Sequence, residues 1–88
     1  MNNIVREIKY LIDMNKLSAL QELYDDLYEQ HTSKEYHYNF EYLWQSAYLH
    51  ACLKKRDEIK QWLLECYEQM DDIQKIALKP NLIYGKYL

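Results

Sequence analysis

Three histidines, two cysteines and two adjacent aspartate pairs are the residues of this chain whose types could do chemistry. His31, Glu35 and His37 lie close together in sequence, and imidazole and carboxylate are ordinary ligands of a metal ion. A metal centre needs a dense ligand set, however, and two histidines in a polar stretch with no close cysteine read as solvated side chains. His50, Cys52 and Cys66 form a second group. A thiol nucleophile needs a base within hydrogen-bond reach, and residues two apart on a helix face different ways. His50 and Cys52 are therefore poor joint ligands and a poor nucleophile–base pair. Both cysteines sit in apolar helical patterns, where a buried reduced thiol is the ordinary state. Asp25-Asp26 and Asp71-Asp72 would do general acid–base work only in a cleft that shifts their pKa values; exposed helix faces and caps are their plainer uses. A single glycine nearly excludes a phosphate-cradling loop. The expectation is a chain that is no enzyme and carries no metal and no cofactor.

Composition bounds the remaining choices. The chain has 88 residues, 49% of them hydrophobic and 28% charged, with one Gly and one Pro. That predicts one small globular domain over residues 1–88, or part of a repeat array. A domain of this size covers little of its own apolar surface, so any large remainder calls for a partner or a second copy. No basic segment precedes an apolar run and no stretch of about 18 apolar residues occurs, so neither a signal peptide nor a membrane span is expected. The expected setting is soluble, intracellular and cytoplasmic, with no membrane partner. Fourteen acidic against 11 basic residues give a net charge of −3, which argues against nucleic acid as a partner. The local cluster Lys54-Lys55-Arg56 falls at an expected helix end, where cations are favoured without any ligand.

Hydrophobic periodicity predicts an all-α fold. Ile4, Ile8, Leu11 and Ile12 recur at helical spacing, with Asn2 or Asn3 as cap and an end near Asn15. Leu17, Leu20, Leu23, Tyr24 and Leu27 repeat the signal, and Ser18 with Gln21 would make a capping box for a helix starting at Ser18. A loop of about nine residues is expected over "HTSKEYHY". Rings alternate from Tyr36 through Tyr38, Phe40, Tyr42 and Trp44, as in a strand. From Phe40 onward, however, Phe40, Leu43, Trp44, Ala47, Ala51 and Cys52 trace one helix face, with Asn39 as its N-cap and Tyr38 stapling against Leu43. A fourth helix, capped by Asp57, carries Ile59, Trp62, Leu63, Cys66, Tyr67 and Met70. Asp71 or Asp72 caps a short fifth through Ile73, Ile76 and Ala77, expected to stop near Lys79 because Pro80 disfavours helix before it. The tail from Asn81 holds Leu82, Ile83, Tyr84, Tyr87 and Leu88 and is expected to dock on the core or on a neighbour. The architecture is two consecutive antiparallel hairpins plus a short C-terminal helix.

The segment Tyr48 to Glu65, "YLHACLKKRDEIKQWLLE", resembles the helix-turn-helix core of an ankyrin repeat. Ala51 and Cys52 match its pair of small residues, and Glu58, Ile59, Leu63, Leu64 and Glu65 match its second helix. Tyr10 to Asp26 is a fainter echo, with Asn15 at the turn. Lys55 and Asn15 stand where the family has glycine, the "TPLH" opening is missing, and the turns lie forty positions apart against about 33 in the family. The resemblance implies an ankyrin-like hairpin or small helical bundle acting in protein binding. Similarly degraded repeats occur in large DNA viruses, and a composition rich in Tyr but poor in Gly and Pro fits an A+T-rich genome. A viral source, acting on a host or viral protein in the infected cell, follows as an expectation.

Ten tyrosines are the compositional anomaly. Tyr gives large contact area at low entropy cost with a polar tip, which enriches it at protein interfaces. Tyr42 and Tyr48 fall off the predicted inward stripe of the third helix, and Tyr36 and Tyr38 precede it. With Tyr84 and Tyr87 they make the predicted protein-binding set. The function expected is a non-catalytic protein–protein interaction module, binding another protein or a second copy of itself. The alternative is a small structural subunit of a larger assembly or homo-oligomer.

Overall fold

In the computed structural model of the protein the described residues are 2–33 and 40–88, with side chains at 4–29 and 41–88. They form five helices and no strand: α1 (Asn2–Asp13), α2 (Leu17–Ser33), α3 (Phe40–Lys54), α4 (Asp57–Glu68) and α5 (Asp72–Gly85). The all-α expectation is met. The alternating rings resolve into helix from Phe40 onward, while Tyr36, Tyr38 and the proposed cap Asn39 lie outside the described residues.

The turn between α1 and α2 and the turn between α3 and α4 are built alike. Asn15 and Lys55 both take the left-handed conformation, at φ 55° and 58°. Lys16 N–H donates to the Leu11 carbonyl and Asn15 N–H to that of Ile12, at 2.8 and 3.0 Å. In the second turn Arg56 donates to Ala51 and Lys55 to Cys52, at 2.9 and 3.2 Å. This is the Schellman ending, which satisfies the last carbonyls of a helix and reverses the chain within three residues. The next helix then starts at once, so two antiparallel hairpins follow from two left-handed residues.

Helix α3 is the centre of the molecule. It is flanked by α1 and α5, packs on its hairpin partner α4, and touches α2 more lightly. Its apolar residues accordingly run nearly all the way round, as a helix enclosed by neighbours requires. Leu43, Trp44, Ala47, Tyr48, Ala51 and Cys52 are buried, joined by Ile8 and Ile12 of α1, Leu20 and Leu27 of α2, Ile59, Leu63 and Tyr67 of α4, and Leu78 of α5. The Trp44 indole N–H donates to the Leu63 carbonyl at 3.0 Å, and the Tyr67 hydroxyl donates to the Lys75 carbonyl at 3.0 Å. Each large amphipathic ring thus buries its body and finds an acceptor for its polar tip.

Four expectations need correction. Helix α2 begins at Leu17 and extends to Ser33, so His31, Thr32 and Ser33 belong to the helix and not to the loop. Asp57 is the first residue of α4; Arg56 occupies the cap position and makes no side-chain cap bond. Asp71 does cap α5, accepting from Gln74 N–H at 2.8 Å. That helix continues through Pro80 to Gly85. Proline removes the bond to the carbonyl four residues earlier, here that of Ile76, and both Ile76 and Pro80 face solvent, where water replaces the missing donor. Finally, Ile73, Ile76 and Ala77, the residues from which the fifth helix was read, all point outward, because the helix docks through Leu78, Leu82 and Gly85.

Candidate protein-binding groove

The exposed surface of α3 forms the floor of a groove of about 390 Å³ whose lining includes Gln45, Ser46, Leu49 and His50. Lys9 from α1 contributes to the lining, as do Tyr84 from the C-terminal end of α5 and Leu88 beyond it, and Tyr42 and Leu53 lie along it from α3. The lining combines apolar and polar groups, with Tyr42 51% and Tyr84 57% exposed. Leu53 is exposed as well, an uncommon state for Leu on a helix this central to the fold. The lining comes from α1, α3 and α5 together with the C-terminal Leu88.

One end of the groove is pinned by polar contacts. His50 Nε2 lies 2.6 Å from Asp13 Oδ1. The His50 hydrogen bond, aided by the charges of Lys54 and Arg56, holds the Asp13 carboxyl below its ordinary range. An ionised carboxylate only accepts, so Nε2 carries the proton. Arg56 reaches across from the second turn. Its Nε donates to the Ile12 carbonyl at 3.1 Å and its Nη2 to that of Asp13 at 2.6 Å. A guanidinium fork at the C-terminal end of α1 meets both the open carbonyls and the negative end of the helix dipole. The cluster ties α1 to α3 and to the second turn.

The structure distributes the predicted residues unevenly. Tyr42 and Tyr84 come together in the groove, and Tyr87 is exposed just beyond α5. Tyr48, expected off the buried stripe, is buried: its ring stacks on Trp44 at 4.9 Å and 7°. The correction has a physical cause. The close approach of α5 covers that side of α3, a contact that periodicity within α3 cannot anticipate. Burial beside Cys52 pushes the Tyr48 hydroxyl up to about 12. Tyr36 and Tyr38 lie outside the described residues. Leu53 and the Asp13–His50–Arg56 cluster are groove features that the sequence concealed, since partners 37 and 44 positions apart have no local signal.

The candidate chemistry is dispersed. Cys52 is buried beside Gly85, while His50 turns to Asp13, so the two part as helical spacing requires. Cys66 packs by Tyr24, and burial raises its thiol pKa. Asp25 and Asp26 are exposed on α2. Among the described residues no group of three or more His, Cys, Asp or Glu is placed to hold a metal ion. The described residues also contain no helix long and apolar enough to cross a membrane. Glu35, His37 and the His31 side chain lie outside the described set.

In comparisons with known proteins, no family model, curated protein or solved structure matches this chain.

Proposed function

We propose that the chain is a non-catalytic protein-interaction module, built from two ankyrin-like hairpins, whose groove along α3 receives a segment of another protein. The observation that carries this reading is that Tyr42 of α3 and Tyr84 of α5 line one groove with a mixed apolar and polar lining. Rings with apolar bodies and polar tips, set on rigid helices, are what a contact surface needs to gain area at little entropic cost. The glutamine, serine and histidine on the floor supply hydrogen bonds that would orient a bound backbone. Agreement of the two turns with the positions where ankyrin repeats carry glycine supports the repeat reading: both Asn15 and Lys55 take the backbone that glycine favours.

A displayed library of random peptides, panned against the folded chain, tests this directly. The expected result is enrichment of a shared peptide pattern whose binding is lost when Tyr42→Ala and Leu53→Ala are combined, with the helical circular dichroism spectrum retained. Failure to enrich any pattern, or enrichment of peptides indifferent to both substitutions, would remove the groove from consideration.

A further inference from the structure

The outward face of α5 is a second surface, which meets the groove at Tyr84. Ile73, Ile76 and Tyr87 are 81%, 73% and 82% exposed, and Ile83 and Tyr84 are more than half exposed. Ala77 and Pro80, also exposed, fill the same face between them. These positions follow the offsets of one helix side, and no charged residue interrupts them. An amphipathic helix ordinarily presents charge on the side away from the core. Helix α5 instead is apolar on both sides, with its charges confined to the edges.

We propose that this face pairs with the same face of a second copy, α5 against α5 in antiparallel orientation. The first argument is its charge pattern. Asp72 lies at the N-terminal end and Lys86 just past the C-terminal end, seven positions either side of Lys79 and so along one edge of the helix. Antiparallel pairing about a two-fold axis brings Asp72 of each copy beside Lys86 of the other, whereas parallel pairing would put the two charged edges on opposite sides of the contact, where neither residue meets an opposite charge of the other copy. Lys79 meets its own copy near the axis and is exposed, so its long side chain can splay into water.

Shape gives the second argument. Ala77 and Pro80 sit at the midpoint, where small side chains let two helices approach. In the antiparallel arrangement the isoleucines of one N-terminal half oppose the larger rings of Tyr84 and Tyr87. The third argument is area: Ile73, Ile76, Ile83, Tyr84 and Tyr87 are all more than half exposed, and covering them in both copies would at most bring the contact to the size of a specific interface, roughly 1,200 Å² and upward. Such a surface is self-complementary, as a two-fold contact must be.

Sedimentation velocity from micromolar to millimolar concentration tests the proposal on the full chain. A doubling of mass is expected. Ile76→Asp is expected to weaken it about ten-fold or more without moving the thermal melt at concentrations where the chain is monomeric, since Ile76 is 73% exposed. Tyr87→Ser provides a second variant at a position outside the helix. Orientation is read by mild oxidation of cysteine variants: Lys79→Cys, near the axis, should form a disulfide-linked dimer, whereas Ile73→Cys should not. A mass that stays monomeric throughout, a dimer indifferent to Ile76→Asp and Tyr87→Ser, or cross-linking through Ile73→Cys rather than Lys79→Cys would overturn the proposal.

Discussion

Asn15 and Lys55, forty positions apart, adopt the same left-handed backbone, and each is followed by an identical pair of reversed hydrogen bonds. Side chains other than glycine pay a steric penalty in this region, smaller for Asn because its short polar side chain bonds locally. The two hairpins therefore turn on the same device with unequal strain.

Lys55→Gly is expected to raise the stability of the fold by about 0.5 to 1 kcal/mol, because relief of the left-handed penalty exceeds the added freedom of the unfolded chain. Asn15→Gly should gain less. Urea denaturation of the two variants measures both; a loss of stability at Lys55 would show that its side chain contributes more than its backbone costs.

Gly85 is the only glycine in the sequence, and it sits where α5 crosses α3. A Cβ there would lie 2.8 Å from the Tyr48 ring and 3.0 Å from Cys52 Sγ. Tyr48 cannot yield easily, since its other face is stacked on Trp44. Gly85→Ala should thus cost about 1 to 3 kcal/mol by overpacking, although helix propensity alone favours Ala by about 1 kcal/mol. The sign of the change in melting temperature decides between the two effects.

The anchor at the end of α1 predicts a difference between two cations. Arg56→Ala should destabilise by about 1 to 2 kcal/mol, and Arg56→Lys should recover only part of it, because a point charge cannot span the Ile12 and Asp13 carbonyls. Asp13 adds an acid limb. Its folded pKa is lowered chiefly by the His50 hydrogen bond, so its stabilisation is present above the ordinary value of 3.8 and disappears as pH falls through the lower folded value. Asp13→Asn should flatten that limb in melts recorded across the acid range; an unchanged limb would mean that other carboxylates dominate it.

Alkaline pH acts on the opposite side. Burial raises the pKa of Tyr48 to about 12, and raises those of Tyr24 and Cys66 as well. For a raised folded pKa, stability is complete below the unfolded value and is lost as pH rises through the folded one. For Tyr48 the window runs from about 10 to about 12. Denaturation midpoints should fall as pH climbs through it, and Tyr48→Phe should lessen the slope. Identical slopes in both proteins would show that the Tyr48 hydroxyl is hydrated.

Much of this fold was legible in the sequence because helical periodicity is a local signal. Ile8 and Ile12, Trp44 and Ala47, and Ile59 and Leu63 declare their inward faces within a turn or two, and all are buried. What stayed hidden depends on contacts between distant helices. The burial of Tyr48 follows from where α5 lands, and the exposure of Ile73 and Ile76 follows from the docking of Leu78 and Gly85. Pro80 was a misleading stop signal, since its rule concerns local backbone bias, while tertiary docking carries α5 past it. Of the predicted contact tyrosines, Tyr42 was reached from its place off the inward stripe of α3 and Tyr84 from the apolar C-terminal segment, both against a tyrosine-rich composition. The groove that joins them could not be, as its lining comes from α1, α3 and α5.

Amide chemical-shift mapping of the folded chain, titrated with a peptide enriched from the displayed library, tests the account of the groove most directly. Saturable shifts are expected to concentrate at Gln45, Ser46, Leu49 and Leu53, with Tyr84 and Leu88 following. Shifts confined to α2 and α4, leaving those residues unmoved, would contradict it.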